Sequence, residues 1–234
     1  MTFQFLKAQV AGSFIGGLTV WFGVFFSATH FSFPIQNNAW ELQKEKNGIQ
    51  IFSRKHVDGK SRQIKSVITA TASLSCMTAI IRDSEGATEW VNRMKIFKDL
   101  KVINDTVWYT YSEVEIPFPF KNKDFITRNV ISQDKKTKIV TIAIKSVPDF
   151  IPEKEGKSRI RKSEGFWQFK PMGLGKTEIT YTFYAEQDGS LPAWFVNPIV
   201  VNSVYDTMLG LQKMYGKKQY QDAKMNFISD VTQR

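Results

Sequence analysis

The chain has 234 residues, of which 42% are hydrophobic and 14% aromatic, enough for one large domain or two small ones and too apolar for a disordered chain. Its 32 Lys and Arg against 22 Asp and Glu give a net charge of +10, which suits nucleic acid, acidic proteins or an anionic membrane surface. One cysteine and two histidines exclude an intrachain disulfide, a Cys-based metal site and a Cys–His pair built on more than Cys76, His30 and His56. Ser with His56 stays formally open, but nothing in the sequence marks it.

No charged residue occurs from Ala8 to Trp40, and Ala8 to Ala28 is largely apolar behind Lys7. A basic start followed by an apolar run is what a secretory signal requires, and about 20 such residues can also cross a bilayer. The cleavage site is poor, because Phe26 stands two residues before Ala28. Residues 1–30 therefore read as a cleaved signal or an uncleaved anchor. A buried core helix fits less well, since Gly12, Gly16, Gly17 and Gly23 disfavour a soluble helix. With Lys7 inside, the rest would be exported, to the periplasm or the outside, or held at the membrane by this segment.

Residues 31–38 read as a linker. The run Ala39 to Lys46 is predicted as a short helix stopped by Asn47-Gly48. Strand patterns follow at Ile49–Val57 and Arg62–Ala72, with Asp58-Gly59 as the hairpin signal between them. Ser73 or Ser75 can cap a helix running to Asp83, and Gly86 to Arg93 can form a second. Strands are then expected at Lys95–Ile103, Val107–Glu115, Asp124–Ser132, Lys138–Val147, Ser158–Lys170 and Glu178–Glu186. The last element is a helix from Pro192 to about Ile228. Strands first and last in one sheet, two small helices between them and one long terminal helix define an α+β fold.

Three short motifs stand in order near the end: Gly165-Phe166-Trp167, Gly175-Lys176-Thr177, and Leu191-Pro192-Ala193-Trp194-Phe195-Val196-Asn197. This set resembles the C-terminal signature of the START family, the steroidogenic-acute-regulatory-protein-related lipid-transfer domains. The resemblance covers residues 39–228 and leaves 229–234 as a tail. It implies a helix-grip fold: a curved antiparallel sheet wrapped around the C-terminal helix, with a hydrophobic cavity between them. It also implies binding, and perhaps transfer, of one lipid-like ligand loaded from a membrane through a mobile loop, without chemistry and without a cofactor.

The predicted terminal helix carries Val201, Val204, Tyr205, Met208, Leu211 and Tyr215 at helical spacing, one apolar face. Spacing alone makes this face ordinary core; the resemblance makes it a cavity wall. Ile116-Pro117-Phe118-Pro119-Phe120-Lys121-Asn122-Lys123 holds two prolines that forbid a regular element. It is either a rigid loop packing its aromatics on the core or, as the resemblance implies, a gate. As a gate, Phe118 and Phe120 would touch a membrane while Lys121 and Lys123 meet anionic headgroups. Lys123 stands where the family commonly has Arg. Relatives often pair a buried acid with an arginine in the cavity. Counting along the strands puts those positions near Tyr111 and Asn129, both uncharged here, so the resemblance implies a cavity with neutral hydrogen-bonding groups.

Two motifs are discounted. Gly173-Leu174-Gly175-Lys176-Thr177 echoes a phosphate loop, but position 170 is Lys and the segment joins two strands. Asn104-Asp105-Thr106 fits a glycosylation sequon and reads more simply as a turn. Two rival functions stay open. One is a helix-grip enzyme of the polyketide cyclase or hydratase type, with Tyr111, Glu113, Asn129 and Tyr205 as its polar candidates. The other is a basic nucleic-acid or protein-binding surface; the dispersed Lys and Arg argue against nucleic acid.

Overall fold

A computed structural model describes residues 39–57, 61–186 and 193–230. The export or anchor segment, the linker, the Asp58-Gly59 turn and the Leu191-Pro192 helix entry lie outside them. No helix among the described residues is long and apolar enough to cross a membrane.

The elements run β1 (Glu41–Lys46), β2 (Ile49–Lys55), β3 (Arg62–Thr71), α1 (Leu74–Arg82), α2 (Ala87–Trp90), β4 (Met94–Asn104) and β5 (Val107–Val114). Then come β6 (Lys123–Gln133), β7 (Val140–Ser146), a short 3-10 turn (Pro148–Phe150), β8 (Ser158–Arg159), β9 (Ser163–Gly173), β10 (Lys176–Ala185), α3 (Ala193–Met214) and α4 (Lys218–Gln221). The strands form one sheet in the order β1-β2-β3-β10-β9-β7-β6-β5-β4, antiparallel throughout, with β8 parallel beside β6. Ile49, Ile51, Ile68, Phe169 and Ile179 on the sheet pack with Met77 and Ile80 of α1 and Met208 and Leu211 of α3 into one core. This is the expected α+β helix-grip architecture.

Three expectations are corrected. Ala39–Lys46 is not a helix: Glu41–Lys46 is an edge strand paired with β2. Asn47 and Gly48 both take positive φ (54° and 71°), the geometry of a tight two-residue hairpin, and sheet pairing overrides the helix propensity of the run. The strand expected over Ser158–Lys170 is two strands: Ser158–Arg159 pairs with β6, and β9 begins only at Ser163 and pairs with β7 and β10. The terminal helix ends at Met214; α4 and a turn-rich tail follow, with Tyr220 and Ile228 buried back onto the core.

Local chemistry explains the motifs. Ser73 caps α1, its hydroxyl accepting from the Cys76 N–H at 3.0 Å. Thr177 buries its hydroxyl and donates to the Ala72 carbonyl at 2.7 Å, tying the start of β10 to the end of β3. Gly165 faces Phe183 across the β9–β10 ladder. A Cβ there would sit 2.2 Å from the Thr182 carbonyl oxygen and 3.2 Å from the Phe183 ring, so the motif needs glycine at this point.

Candidate functional site

Between the concave sheet face and α3 lies a cavity of about 400 Å³. Strand alternation decides what lines it. On β6, Lys123, Phe125, Thr127 and Asn129 point in; on β5, Trp108, Ser112 and Val114 do. Trp167 of β9 and Tyr181, Phe183 and Ala185 of β10 form the opposite wall, and Ile142 and Ile144 of β7 lie between. The register places Trp108, Asn129, Ile144, Gly165, Phe183 and Ile64 in one row across six neighbouring strands. On α3 the cavity face is Val196, Val200, Ser203, Val204 and Thr207, and Trp90 of α2 closes the side.

The polar groups fall into two zones. Arg62, Arg93, Glu115, Lys123 and Glu186 all belong to the strand ends and joints at one end of the sheet, which is the mouth. Deeper in, Thr110 and Thr127 share a hydrogen bond at 2.8 Å, and Asn129 donates its amide to the Thr110 hydroxyl at 3.2 Å. All three are buried and uncharged. Tyr181 also stays neutral, since burial raises its hydroxyl pKa above the ordinary value.

Among the expected site residues, Asn129, Val204 and Lys123 line the cavity. Tyr111 does not, and its placement is corrected: it lies on the opposite face of β5. There it is covered by the segment after β7, with Lys154 Nζ 3.9 Å from the ring centre. Burial, and then the nearby Asp124 and Glu113 charges, push its hydroxyl up to about 12. Its neighbour Ser112 lines the cavity and Thr110 shares that face, one residue away on either side, and a step of one flips the face. Glu113 is on the outer face too. It accepts from Lys157 at 2.6 Å and from Asn122 at 2.7 Å. Burial opposes its charge, but these hydrogen bonds outweigh that and hold its pKa below the usual carboxylate range.

The helix-face expectation is also corrected. Met208 and Leu211 are fully buried in the core, Val201 is half-buried against it, and none of them lines the cavity. Tyr205 accepts from Asn47 Nδ2 at 3.0 Å and lies under Lys44, again outside the cavity. The true lining face starts one residue earlier, about 100° around the helix. Tyr111, Glu113, Asn129 and Tyr205 therefore never meet. Sequence reading missed Trp90, Ser112, Thr127 and the aromatic wall; the two-residue period through Phe125, Thr127 and Asn129 was the available signal. No group of three His, Cys, Asp or Glu among the described residues could hold a metal ion.

At the mouth, Phe118 is 96% exposed, while Phe120 is half-buried and Lys121 exposed. Ile116 and Pro117 line the opening. Lys123 donates to Ser158 Oγ at 3.0 Å, which turns it toward β8. The base of the loop is fixed by Asn122, whose Oδ1 accepts from the Ile116 N–H at 3.2 Å. Val57 and Trp194, 87% and 77% exposed, stand on two other segments at the same end of the sheet.

A curved sheet closed on its C-terminal helix around an apolar cavity defines a helix-grip protein. No protein-family model matches the chain. It is 29% identical over 190 residues to an uncharacterized protein of Pseudomonas aeruginosa, covering 80% of this chain and 93% of that one. It is 22% identical to the human phosphatidylcholine transfer protein, over 70% of this chain and 78% of the relative. The crystal structure of a STAR-related lipid transfer protein fragment from Xanthomonas axonopodis superposes with a TM-score of 0.69. That structure shares 26% identity and covers 76% of this chain and 99% of the fragment. In sequence and fold the chain is similar to STAR-related lipid transfer proteins and shares their helix-grip architecture.

Proposed function

We propose that this domain binds one hydrophobic, lipid-like molecule in the cavity between sheet and α3, carries it without chemical change, and exchanges it with a membrane at the mouth. The observation that carries this reading is the cavity itself. It holds about 400 Å³ in an otherwise close-packed core, within the roughly 300–1,000 Å³ typical of small-molecule sites. Its walls are mainly aliphatic and aromatic. Burying each ligand methylene there is worth about 0.8 kcal/mol, so a modest hydrocarbon body supplies ample binding free energy. The likeness to a phosphatidylcholine transfer protein and to a STAR-related lipid transfer protein supports the same class.

The helix gives one test. Val204→Trp should fill the cavity and lower ligand capture several-fold while the fold survives. Met208→Trp, placed in filled core, should instead lower the unfolding free energy by about 1–3 kcal/mol. Capture measured on both folded variants decides it: equal capture would mean α3 is no cavity wall.

The mouth supplies the route. Phe118, with Val57 and Trp194 at the same end, offers apolar contacts to a bilayer, and Lys121 adds attraction to an anionic one. Phe118→Ser with Phe120→Ser should slow transfer between vesicles and leave equilibrium affinity nearly unchanged. Lys121→Gln should weaken only the dependence on anionic lipid, and salt should mimic it, because exposed charges are screened beyond about 10 Å at 0.1 M. Unchanged transfer with reduced stability in the Phe double variant would make the loop a structural plug.

A further inference from the structure

The cavity mouth occupies one end of the sheet; at the other end two turns project side by side. Gln133, Val140, Phe169 and Ile179 form one row across β6, β7, β9 and β10. The β6–β7 turn and the β9–β10 turn both extend beyond that row. Strand β9 runs eleven residues from Ser163, at the mouth end, to Gly173, so the two ends lie about 34 Å apart at roughly 3.4 Å per residue.

At the apex of the β9–β10 turn Leu174 is 85% exposed, and Met172 nearby is 51% exposed. Leu174 also holds φ at 51°, between Gly173 at 79° and Gly175 at 68°. That left-handed region suits glycine, or asparagine and aspartate with their short polar side chains; a bulky apolar side chain gains nothing from it. Neither turn geometry nor core packing therefore calls for leucine here. The surroundings are basic. Residues 134–138 and 170–178 hold five lysines against Asp134 and Glu178, a surplus of three positive charges. Asp134 serves its own turn, accepting from the Lys136 N–H at 3.0 Å and from the Thr137 N–H and hydroxyl at 2.6 and 2.8 Å. Glu178 faces Lys170 at 3.7 Å. Lys135, Lys136 and Lys176 are exposed and make no ion pair among the described residues.

Two apolar side chains ringed by lysines do not supply the complementary surface, about 1,000 Å² or more, that a stable protein partner buries. They suit a bilayer, which takes apolar side chains past its headgroups and draws cations to anionic lipid. We propose that this end of the domain is a second membrane-contact surface, with Leu174 and Met172 inserted into an anionic bilayer and Lys135, Lys136 and Lys176 at its headgroups. Because it lies opposite the mouth, the chain can hold a bilayer at each end. That consequence rests on the membrane contact proposed for the mouth; the contact at the hairpin does not.

The test labels the full chain at the hairpin. Cys76 is the one cysteine and is fully buried, so a cysteine introduced as Met172→Cys takes a polarity-sensitive dye selectively. On vesicles of equal parts phosphatidylcholine and phosphatidylglycerol the dye emission should shift to the blue and brighten; on phosphatidylcholine alone it should not. Lys135→Gln and Lys136→Gln should each weaken the response to anionic vesicles about fivefold. Leu174→Asn should weaken it about tenfold, yet unfold at the same temperature or a higher one, because asparagine tolerates positive φ better than leucine. Unlabelled wild-type protein should cluster the anionic vesicles, and Leu174→Asn should lose that clustering. Phe118→Ser with Phe120→Ser should leave the dye response in place. A dye that stays in water on anionic vesicles that sediment with the protein would overturn the proposal. So would Leu174→Asn protein that binds and clusters as the wild type does. A dye that answers soluble polyglutamate but not vesicles would overturn it as well, and make this end a surface for an acidic protein. Each of these failures would leave ligand capture in the cavity, and the lipid-binding reading, untouched.

Discussion

Arg159→Met should be among the most damaging single changes in this domain, lowering the unfolding free energy by about 3–5 kcal/mol. Arg159 grips Asp124 through two parallel hydrogen bonds, Nε to Oδ1 at 2.9 Å and Nη2 to Oδ2 at 2.8 Å. The side chains are 1% and 0% exposed, so the substitution strands a carboxylate away from water. The same guanidinium donates to the carbonyls of Pro148, Ile151 and Pro152. It thus pins the segment after β7 over the outer face of the sheet, behind the strand that carries Phe125, Thr127 and Asn129. Arg159→Met with Asp124→Leu should recover part of the loss, because no lone charge remains buried. The three carbonyls stay without their donor, so recovery should be incomplete. Urea unfolding of both variants measures this; a double variant as unstable as the single would show that the carbonyls, not the charge, carry the cost.

Gly210→Ala should also destabilise the fold, against its local propensity. Alanine in a helix interior ordinarily gains about 1 kcal/mol over glycine. Here a Cβ would lie 2.2 Å from the Trp90 carbonyl oxygen and 2.9 Å from its Cα, both backbone atoms. Either α3 must move off α2 or Trp90 must leave the cavity wall. Overpacking of this kind costs about 1–3 kcal/mol and can cost more, so the clash wins. Thermal unfolding should show a lowered midpoint, and ligand capture should fall with it because Trp90 lines the cavity. A raised midpoint would mean that the helices separate freely at this point.

Several parts of this structure were legible because one residue type has one physical use. Ser73 could be read as a cap and the Asn104-Asp105 pair as a turn, and both hold: the Asn104 side chain accepts from the Thr106 N–H at 3.0 Å. The motifs around Gly165 and Thr177 were legible as a pattern before their reasons were visible, one a forbidden Cβ and the other a buried hydroxyl tying two strands. Asn47-Gly48 was misread because the same dipeptide stops a helix or turns a hairpin, and only the partner strand, β2, decides between them. The face of α3 was misjudged by one residue. Val204 and Tyr205 are both apolar enough for either role, and the cavity is a gap in packing that periodicity does not register. Tyr111 failed for the related reason that strand parity must be counted from a bond register, which no single sequence supplies. Asn129 and the neutral character of the cavity were expected from the resemblance, whereas the Thr110–Thr127 pairing beside it depends on the β5–β6 register, which no single sequence supplies.

Native mass spectrometry of the full-length protein, with extraction of whatever it carries, tests the central claim most directly. The account predicts a single added mass per chain, released by organic solvent as an intact water-insoluble molecule. It also predicts loss of that mass in Val204→Trp while the variant stays folded. A chain that remains free of any such mass after exposure to lipid vesicles, or one that returns the molecule chemically altered, would contradict it.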